Sequence, residues 1–396
     1  MNDRTLQLIK ECGIRNRLED IYRYESAKEA MSITLGNTGC DQDSFIGSHI
    51  LALMESRVPV INMCRKVFEY KLDLLYIANL MGLSLDDLVF LETSGSERLL
   101  VRGRDRISFG AAKITAFLVD FSSPDKSLTR YGAFSVDKIV DHRKILEMDT
   151  ICKEAHCVWV ELNVGSCCSL VFHYIKTYHM DKISTSPKRF MFLFLLIIAI
   201  LTDTSFLTER VHSLDRSAVQ EILSFTGEEM RGTQSIYEQV RELQESEEKV
   251  DTEIILQMCH KRTAYTDGSG RFFGTSTVHF GYDDWVARDT KKTFLSKIAE
   301  FTSNKEYEFL VINSHSHGVR EFFIYPPPKI EFVREVLYRN QEIDKREIKN
   351  DPELAVYRTD KSFTGKVVIP NILDYLSKAE NAKKTGKLYQ SVIFIQ

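Results

Sequence analysis

The longest apolar run in the chain covers Phe190–Leu201, twelve consecutive residues without a charged or polar side chain. A helix that crosses a bilayer needs about 20 apolar residues, because the hydrocarbon core is about 30 Å thick. The run is therefore too short for a membrane span, and it predicts a helix that is apolar on every side. We expect this helix, near residues 187–202, at the centre of a large core.

Helical spacing of apolar residues dominates the N-terminal part of the chain. The stretches 45–56 and 60–81 predict two long helices separated at Pro59, and the second has a wide apolar face. A long polar helix with a narrow apolar stripe is predicted over about 234–261. Short runs of strand-forming residues, punctuated by glycines, occur at Leu99–Arg102, Arg106–Phe109 and Lys113–Phe121.

Together these patterns predict a predominantly α-helical protein with small β elements, an α+β fold. The change of pattern near Gly95 and the glycine-rich stretch from Tyr265 to Asp284 mark candidate boundaries. We predict four parts, which can equally form one compact unit. They are a helical segment (1–94), a small β-rich insert (95–134), a helical core with the buried helix (135–265) and an α+β C-terminal part (266–396).

Composition and charge argue against several classes of protein. The chain has 396 residues, an apolar share of 43% and a formal net charge of −4, from 52 basic and 56 acidic residues. The apolar share is typical of a folded protein. The chain lacks the excess of basic residues that is typical of a nucleic-acid binder, so no nucleic-acid partner is predicted. The first residues lack the pattern of a secretory signal, so we expect the eight cysteines to be thiols in a reducing compartment.

The most suggestive short motif is His315-Ser-His317, which follows a predicted strand. It resembles the paired or glycine-flanked histidines of caspase-like cysteine proteases and of metal-dependent hydrolases. A caspase-like site lacks its nucleophile, because no cysteine follows Cys259. A hydrolase site would need a third polar partner from upstream, such as His279 or Asp283. A loop or a subunit contact is the favoured interpretation of the pair.

A second cluster contains four cysteines and three histidines between residues 152 and 179. Its spacing does not match a zinc knuckle, since four residues separate the first two cysteines and the last two are adjacent. Buried thiols or disulfide partners are favoured over a metal site. The members are Cys152, His156, Cys157, Cys167, Cys168, His173 and His179.

Other motifs give no complete catalytic constellation. The phosphate loop, the dinucleotide-binding fingerprint and the Gly-x-Ser-x-Gly elbow are absent from the sequence. Paired carboxylates are interpreted as residues at helix N-termini, where negative charge is favoured. These pairs are Asp41/Asp43, Asp86/Asp87 and Asp283/Asp284.

In its whole-chain character, mostly helical with no complete catalytic constellation, the sequence resembles an occlusion-body matrix protein (a polyhedrin) of the nudivirus type. The resemblance implies a structural protein without enzymatic activity, cofactor or metal, which packs with copies of itself into a protective lattice around virions. It further implies occlusion bodies inside infected host cells, in the nucleus, cross-subunit disulfides, and dissolution at alkaline pH. The alternative function is a hydrolase-like enzyme with a site at His315 and His317.

Within the matrix-protein interpretation, particular residues are candidates for the lattice contacts. Cys12 and Cys40 lie near predicted turns and are the candidate intermolecular disulfide. Buried tyrosines, whose ordinary pKa is about 10, would ionise at strongly alkaline pH and place unpaired charges inside contacts. The candidates are Tyr22, Tyr24, Tyr325, Tyr338 and Tyr389.

Overall fold

The chain forms two compact units, Met1–Ser246 and Glu247–Gln396. The computed structural model describes residues 3–95, 97–122, 124, 128, 134–143, 152, 155–184, 187–245, 250–265, 270–316, 318–338, 348–350, 353–359 and 364–384. Each unit contains its own β-sheet and its own helices. The finer, four-part division stays a prediction.

The first unit is built on an eight-stranded sheet in its described part, with the order β5-β4-β3-β2-β1-β6-β7-β8. All neighbouring strands pair in parallel except β3–β4 and β4–β5, which are antiparallel. Because β1 lies between β2 and β6, the strand order reverses at β1. The strands are β1 (Ala30–Leu35), β2 (Val58–Ile61), β3 (Val89–Ser94), β4 (Glu97–Arg102), β5 (Asp105–Ser108), β6 (Lys113–Val119), β7 (Phe134–Asp141) and β8 (Cys157–Val160).

Helices of the first unit surround this sheet. The α-helices are α1 (Asp3–Glu11), α2 (Ile14–Ser26), α3 (Gln42–Glu55), α4 (Arg65–Phe68), α5 (Leu72–Leu80), α6 (Cys167–Tyr178), α7 (Met180–Ser184), α8 (Phe194–Asp203), α9 (Ser213–Thr226) and α10 (Arg231–Glu245). Two 3₁₀ segments cover Leu85–Asp87 and Pro187–Leu193. The central strands have apolar residues on both faces, and Ala116–Val119 of β6 are fully buried, as expected for parallel strands covered on both sides.

The apolar run Phe190–Leu201 ends the second 3₁₀ segment and supplies most of α8. Each of its residues is at most 4% exposed. Helix α8 packs against α3, α6, α9 and α10, which cover it from several sides. A helix that is apolar all round is stable in water only when neighbours cover it in this way. None of the described helices is both long enough and apolar enough to cross a membrane.

The second unit contains a six-stranded sheet in its described part, with the order β13-β14-β12-β11-β10-β9. Only β10 and β11 pair in parallel within it. Its strands are β9 (His260–Ala264), β10 (Phe272–Val278), β11 (Leu310–Ser316), β12 (Val319–Tyr325), β13 (Ile348–Asn350) and β14 (Ala355–Thr359). Its helices are α11 (Thr252–Met258), α12 (Tyr282–Asp289), α13 (Lys291–Asn304), α14 (Ile330–Leu337) and α15 (Gly365–Lys384).

The predicted fold class, predominantly α with small β elements, is wrong. The structure is α/β, with a large, mostly parallel sheet in the first unit. The error has a physical origin: parallel strands that are buried on both faces are short continuous apolar runs, which periodicity alone cannot distinguish from buried helix. Thus the predicted helix 60–81 begins inside β2, and the predicted helical core 135–265 contains β7, β8 and β9.

His260 gives the second unit a testable pH dependence. Its Nε2 lies 2.8 Å from the Tyr307 hydroxyl and its Nδ1 lies 3.0 Å from the Ser276 hydroxyl. Burial, followed by the charges of Lys305 and Arg262, lowers the pKa of His260 to about 3. An unfolded histidine binds a proton near pH 6.5. Between these two values the unfolded state binds more protons, so the free energy of unfolding decreases as pH falls from about 6.5 towards 3.

We therefore expect the urea midpoint of the second unit to decrease from neutral pH to about pH 4.5, and His260→Gln to flatten that dependence. The chain has two tryptophans, so in a Trp159→Phe background the fluorescence of buried Trp285 reports this unit. His279→Gln, at a half-buried histidine of the same unit, is the matched control and should retain the dependence of the parent. Equal slopes for His260→Gln and the control would contradict the assignment.

Candidate metal centre

Four carboxylates and one imidazole converge in the first unit. Asp120 follows β6, Asp141 ends β7, and His142 comes next; their ligand atoms lie within 4.8 Å of one another. His142 also belongs to a second such group with Asp43, from the first turn of α3, and Asp203, the last residue of α8. We call these five residues the acidic cluster.

The topology of the sheet explains why these side chains meet. Strands β6 and β7 run parallel to β1, so their carboxyl ends lie at the same edge, beside the point where the strand order reverses. In open α/β sheets this switch point opens a crevice in which ligands bind. The acidic cluster therefore lies where the fold itself provides a binding site.

The connection from β1 to α3 orients Asp120. Asn37 Nδ2 donates to Asp120 Oδ2 over 2.6 Å, and the Ser44 hydroxyl donates to the same oxygen over 3.1 Å. Asp41 caps α3 by accepting from the Ser44 backbone N–H at 3.2 Å. A Cβ at Gly36 would lie 2.7 Å from the Ser44 Cβ, so this approach requires glycine. Asp120 itself adopts a left-handed φ of 53°, a conformation that aspartate tolerates better than most residues.

The histidine shows that the cluster fits a cation. His142 Nδ1 lies 3.1 Å from the Val164 carbonyl oxygen and must donate to it, so in the neutral imidazole Nε2 carries the lone pair. Nε2 faces Asp120 Oδ1 at 3.3 Å and is buried without a hydrogen-bond partner among the described residues. A lone pair this close to a buried carboxylate is unfavourable unless a proton or a cation binds to both atoms. The donor set and its geometry therefore fit a divalent metal ion.

Asp43 is held by the start of α6. The Ser166 hydroxyl donates to its carboxylate, and the first two backbone N–H groups of α6 donate to it over 2.7 and 3.0 Å. Burial, followed by the nearby carboxylates of Asp203 and Asp120, raises the pKa of Asp43 well above its ordinary value. A carboxylate in such a position needs a proton or a cation to neutralise the local negative charge.

Arg143 supplies the permanent positive charge beside the cluster. Its Nη1 donates to the Asp120 backbone oxygen at 2.9 Å, and its Nη2 lies 2.7 Å from Asp120 Oδ1. Burial alone would lower the pKa of Arg143, but the carboxylates of Asp120, Asp141 and Asp41 outweigh that effect and raise it. The side chain is 28% exposed, so the charged guanidinium borders solvent as well as the cluster.

The histidine pair proposed from the sequence lies in the other unit. His315 is half-buried near the end of β11, and His317 lies outside the described residues. Of the upstream partners suggested for them, His279 is half-buried and Asp283 is exposed in the first turn of α12. A site at His315 and His317 stays a prediction.

The residues proposed for lattice contacts differ in exposure. Cys12 and Cys40 are buried, and burial raises the pKa of the Cys12 thiol. Tyr22 and Tyr338 are buried, Tyr325 is half-buried, Tyr24 is 67% exposed, and Tyr389 lies outside the described residues. The intermolecular disulfide and the alkaline-sensitive contacts stay predictions.

The cysteine–histidine cluster between residues 152 and 179 contributes no ligand to either group found in the described part of the chain. Cys167 and Cys168 lie beside Asp43 with their thiols buried, and burial raises the pKa of both well above the ordinary value. They are protonated thiols that pack at the start of α6.

Sequence reasoning missed most of the acidic cluster. Asp43 was interpreted only as a residue at a helix N-terminus, and Asp120, Asp141, His142 and Asp203 were not singled out. A usable signal is present, because Asp120 directly follows the apolar run Ala116–Val119 and Asp141 follows Ile139 and Val140. Once such runs are recognised as parallel strands, the polar residues at their carboxyl ends become the first candidates for a site.

No family model matches the sequence. A protein of Schizosaccharomyces pombe named “Putative exopolyphosphatase” is 30% identical over 226 residues, which cover 54% of this chain and 55% of that protein. The chain thus spans about half the length of the curated relative it matches. Among solved structures, the Methanococcus jannaschii “putative family II inorganic pyrophosphatase” is 16% identical, with a TM-score of 0.61 over 88% of this chain and 100% of that chain.

The likeness to the Schizosaccharomyces pombe protein overturns the main functional prediction. A self-assembling matrix protein of the polyhedrin type, without enzymatic activity, is contradicted by a relative that is 30% identical and named as an exopolyphosphatase. The alternative prediction, a hydrolase-like enzyme, agrees better with this relative. Self-association, virion partners and the absence of a nucleic-acid partner stay predictions. The likeness to the Methanococcus jannaschii structure shows that the chain shares its fold.

Proposed function

We propose that the chain is a metal-dependent phosphoesterase of the DHH family that hydrolyses phosphoanhydride bonds in inorganic polyphosphate or pyrophosphate. The observation that carries this proposal is the acidic cluster, in which His142 Nε2 lies 3.3 Å from Asp120 Oδ1 beside the switch point of the sheet. The names of the Schizosaccharomyces pombe relative and of the Methanococcus jannaschii protein support the class of substrate.

The residues that would hold the metal are the carboxylates of Asp43, Asp120, Asp141 and Asp203 and the Nε2 atom of His142. Mainly oxygen ligands with one imidazole suit Mg²⁺ or Mn²⁺. A divalent cation bound there would polarise a phosphoryl oxygen and lower the pKa of a bound water towards neutrality.

The chain's own groups prepare this site in three ways. The hydrogen bond to Val164 fixes the His142 tautomer, and the start of α6 fixes the Asp43 carboxylate. Arg143 offsets part of the negative charge of four carboxylates, which would otherwise repel a polyanionic substrate. Because its guanidinium is partly exposed, it can also bind a phosphoryl oxygen of that substrate.

Phosphate release tests the proposal. The purified full chain should release phosphate from pyrophosphate, tripolyphosphate or long-chain polyphosphate when Mn²⁺ or Mg²⁺ is present. A chelator should abolish the release and added metal should restore it. The relative rates on the three substrates identify the preferred chain length, and p-nitrophenyl phosphate serves as a monoester control. A folded chain that releases no phosphate with either metal, or one insensitive to chelation, would contradict the proposal.

An intracellular location belongs to the same proposal. All eight cysteines are thiols in the structure, which suits a reducing compartment.

A further inference from the structure

The segment Val164–Ser166, between β8 and α6, supports two residues of the acidic cluster at once. The Val164 carbonyl accepts the hydrogen bond from His142 Nδ1 over 3.1 Å. Two residues later, the Ser166 hydroxyl donates to Asp43 and also caps α6, whose first N–H groups bind the same carboxylate. We call Val164–Ser166 the support segment. A shift of its backbone would move the hydrogen-bond partners of both His142 and Asp43.

Close packing fixes the middle of the support segment. A Cβ at Gly165 would lie 2.5 Å from Thr204 Cγ2, 2.6 Å from the Arg210 backbone oxygen and 2.9 Å from Asp215 Oδ2. Thr204 directly follows Asp203 of the acidic cluster in the chain. The close packing around Gly165 therefore leaves no space for a side chain at this position and fixes the path of the segment's backbone.

One buried carboxylate binds the backbone of the support segment. Asp215 in the first turn of α9 is fully buried. It accepts from the N–H groups of Gly165 at 2.9 Å and Ser166 at 3.3 Å, and from the Ser169 hydroxyl at 2.6 Å. It also accepts from the His212 N–H at 2.7 Å, which completes a capping box at the start of α9. Four donors on one buried carboxylate are a strong, charge-assisted constraint.

We propose that Asp215 is a positioning residue of the metal centre, an inference that rests on the proposed function. By holding the N–H groups of Gly165 and Ser166, Asp215 places the Val164 carbonyl against His142 and the Ser166 hydroxyl against Asp43. Groups that hydrogen-bond directly to metal ligands typically change metal affinity or activity by about 10- to 100-fold when they are removed, and Asp215 holds two such groups in place. Asp215 thereby acts on the metal through two ligands that come from different elements.

Titration calorimetry with Mn²⁺ on the chelator-treated full chain tests this inference. In Asp215→Asn one carboxylate oxygen becomes an NH₂ group that faces N–H donors, so the support segment loses part of its attachment. We expect the dissociation constant for Mn²⁺ to increase by about 10- to 100-fold. Phosphate release by the variant should recover as the Mn²⁺ concentration is raised, which a lost catalytic group would not allow.

A matched control separates positioning from helix capping. His212→Ala removes the side chain that accepts from the Leu214 N–H at 3.3 Å and caps α9, but it leaves the contacts of Asp215 with the support segment. We expect a lower unfolding midpoint for His212→Ala and a dissociation constant for Mn²⁺ close to that of the wild type.

Ser169→Ala is the milder variant and keeps the inference testable if Asp215→Asn does not fold. It removes one donor to Asp215 and should weaken Mn²⁺ binding several-fold. Wild-type affinity in Ser169→Ala and in any folded Asp215→Asn would overturn the positioning role while leaving the proposed function intact. A wild-type chain that binds no Mn²⁺ would instead overturn the proposed function, and this inference with it.

Discussion

Replacing His142 by Gln is expected to lower kcat/KM for pyrophosphate or polyphosphate by about 10³-fold or more, which corresponds to about 4 kcal/mol of transition-state stabilisation. His142 is the residue that belongs to both ligand groups, and its Nε2 lacks a hydrogen-bond partner within the described residues. Glutamine fills a similar volume but cannot present the imidazole lone pair. The metal, and the charge stabilisation it supplies to the phosphoryl group, should be lost together.

Steady-state kinetics with saturating Mn²⁺, Mn²⁺ titration and thermal unfolding of the metal-free chain together test the His142 variant. His173→Gln is the matched control, because His173 lies in α6 and contacts the Leu214 carbonyl oxygen and the Ser217 hydroxyl, each at 3.2 Å. The control should retain wild-type kinetics. A His142→Gln enzyme that keeps activity within tenfold of the wild type would show that catalysis does not depend on His142.

The fold could be predicted only in part, because the local conformational preference of a residue and its burial in the core can favour different secondary structures. Pro59 argued for a break between two helices, since proline is rare in central strands. In the structure Pro59 belongs to β2 and pairs with Thr34 of β1, between two parallel neighbours. The four residues of β2 are all buried, so the apolar environment outweighs the local preference. A buried four-residue strand has too few positions for its period to be read from sequence.

The acidic cluster escaped prediction for a different reason. Asp41 and Asp43 were interpreted as residues at a helix N-terminus, and that interpretation is confirmed, since Asp41 caps α3 and Asp43 lies in its first turn. Because the position at a helix N-terminus already explained Asp43, its role in the acidic cluster was not considered. Asp120, Asp141 and Asp203 come from elements far apart along the chain. Their convergence depends on the reversal of strand order at β1, which a single sequence does not reveal.

Removing the Glu55 carboxylate by Glu55→Ala is expected to lower the free energy of unfolding of the first unit by about 3–5 kcal/mol. Glu55 is the last residue of α3, at the opposite end from Asp43. Its carboxylate accepts from Lys138 Nζ at 2.7 Å and from the Tyr174 hydroxyl at 2.8 Å, and it lies 2.8 Å from His179 Nε2. Burial alone would raise the pKa of Glu55, but these hydrogen bonds outweigh it and lower the pKa.

The expected loss of stability is large because Glu55→Ala leaves the largely buried Lys138 ammonium group without its carboxylate partner. Lys138 lies in β7 and is largely buried, so without Glu55 its ammonium group becomes a poorly compensated charge inside the protein. Glu19→Ala is the control, because the Glu19–Arg23 pair spans one helical turn at the surface and Arg23 is 70% exposed. Such pairs contribute about 0.3–0.5 kcal/mol. Urea unfolding followed by circular dichroism measures the free energy of unfolding of both variants. Similar decreases in Glu55→Ala and Glu19→Ala would show that Glu55 does not stabilise the packing of α3 on β7 and α6.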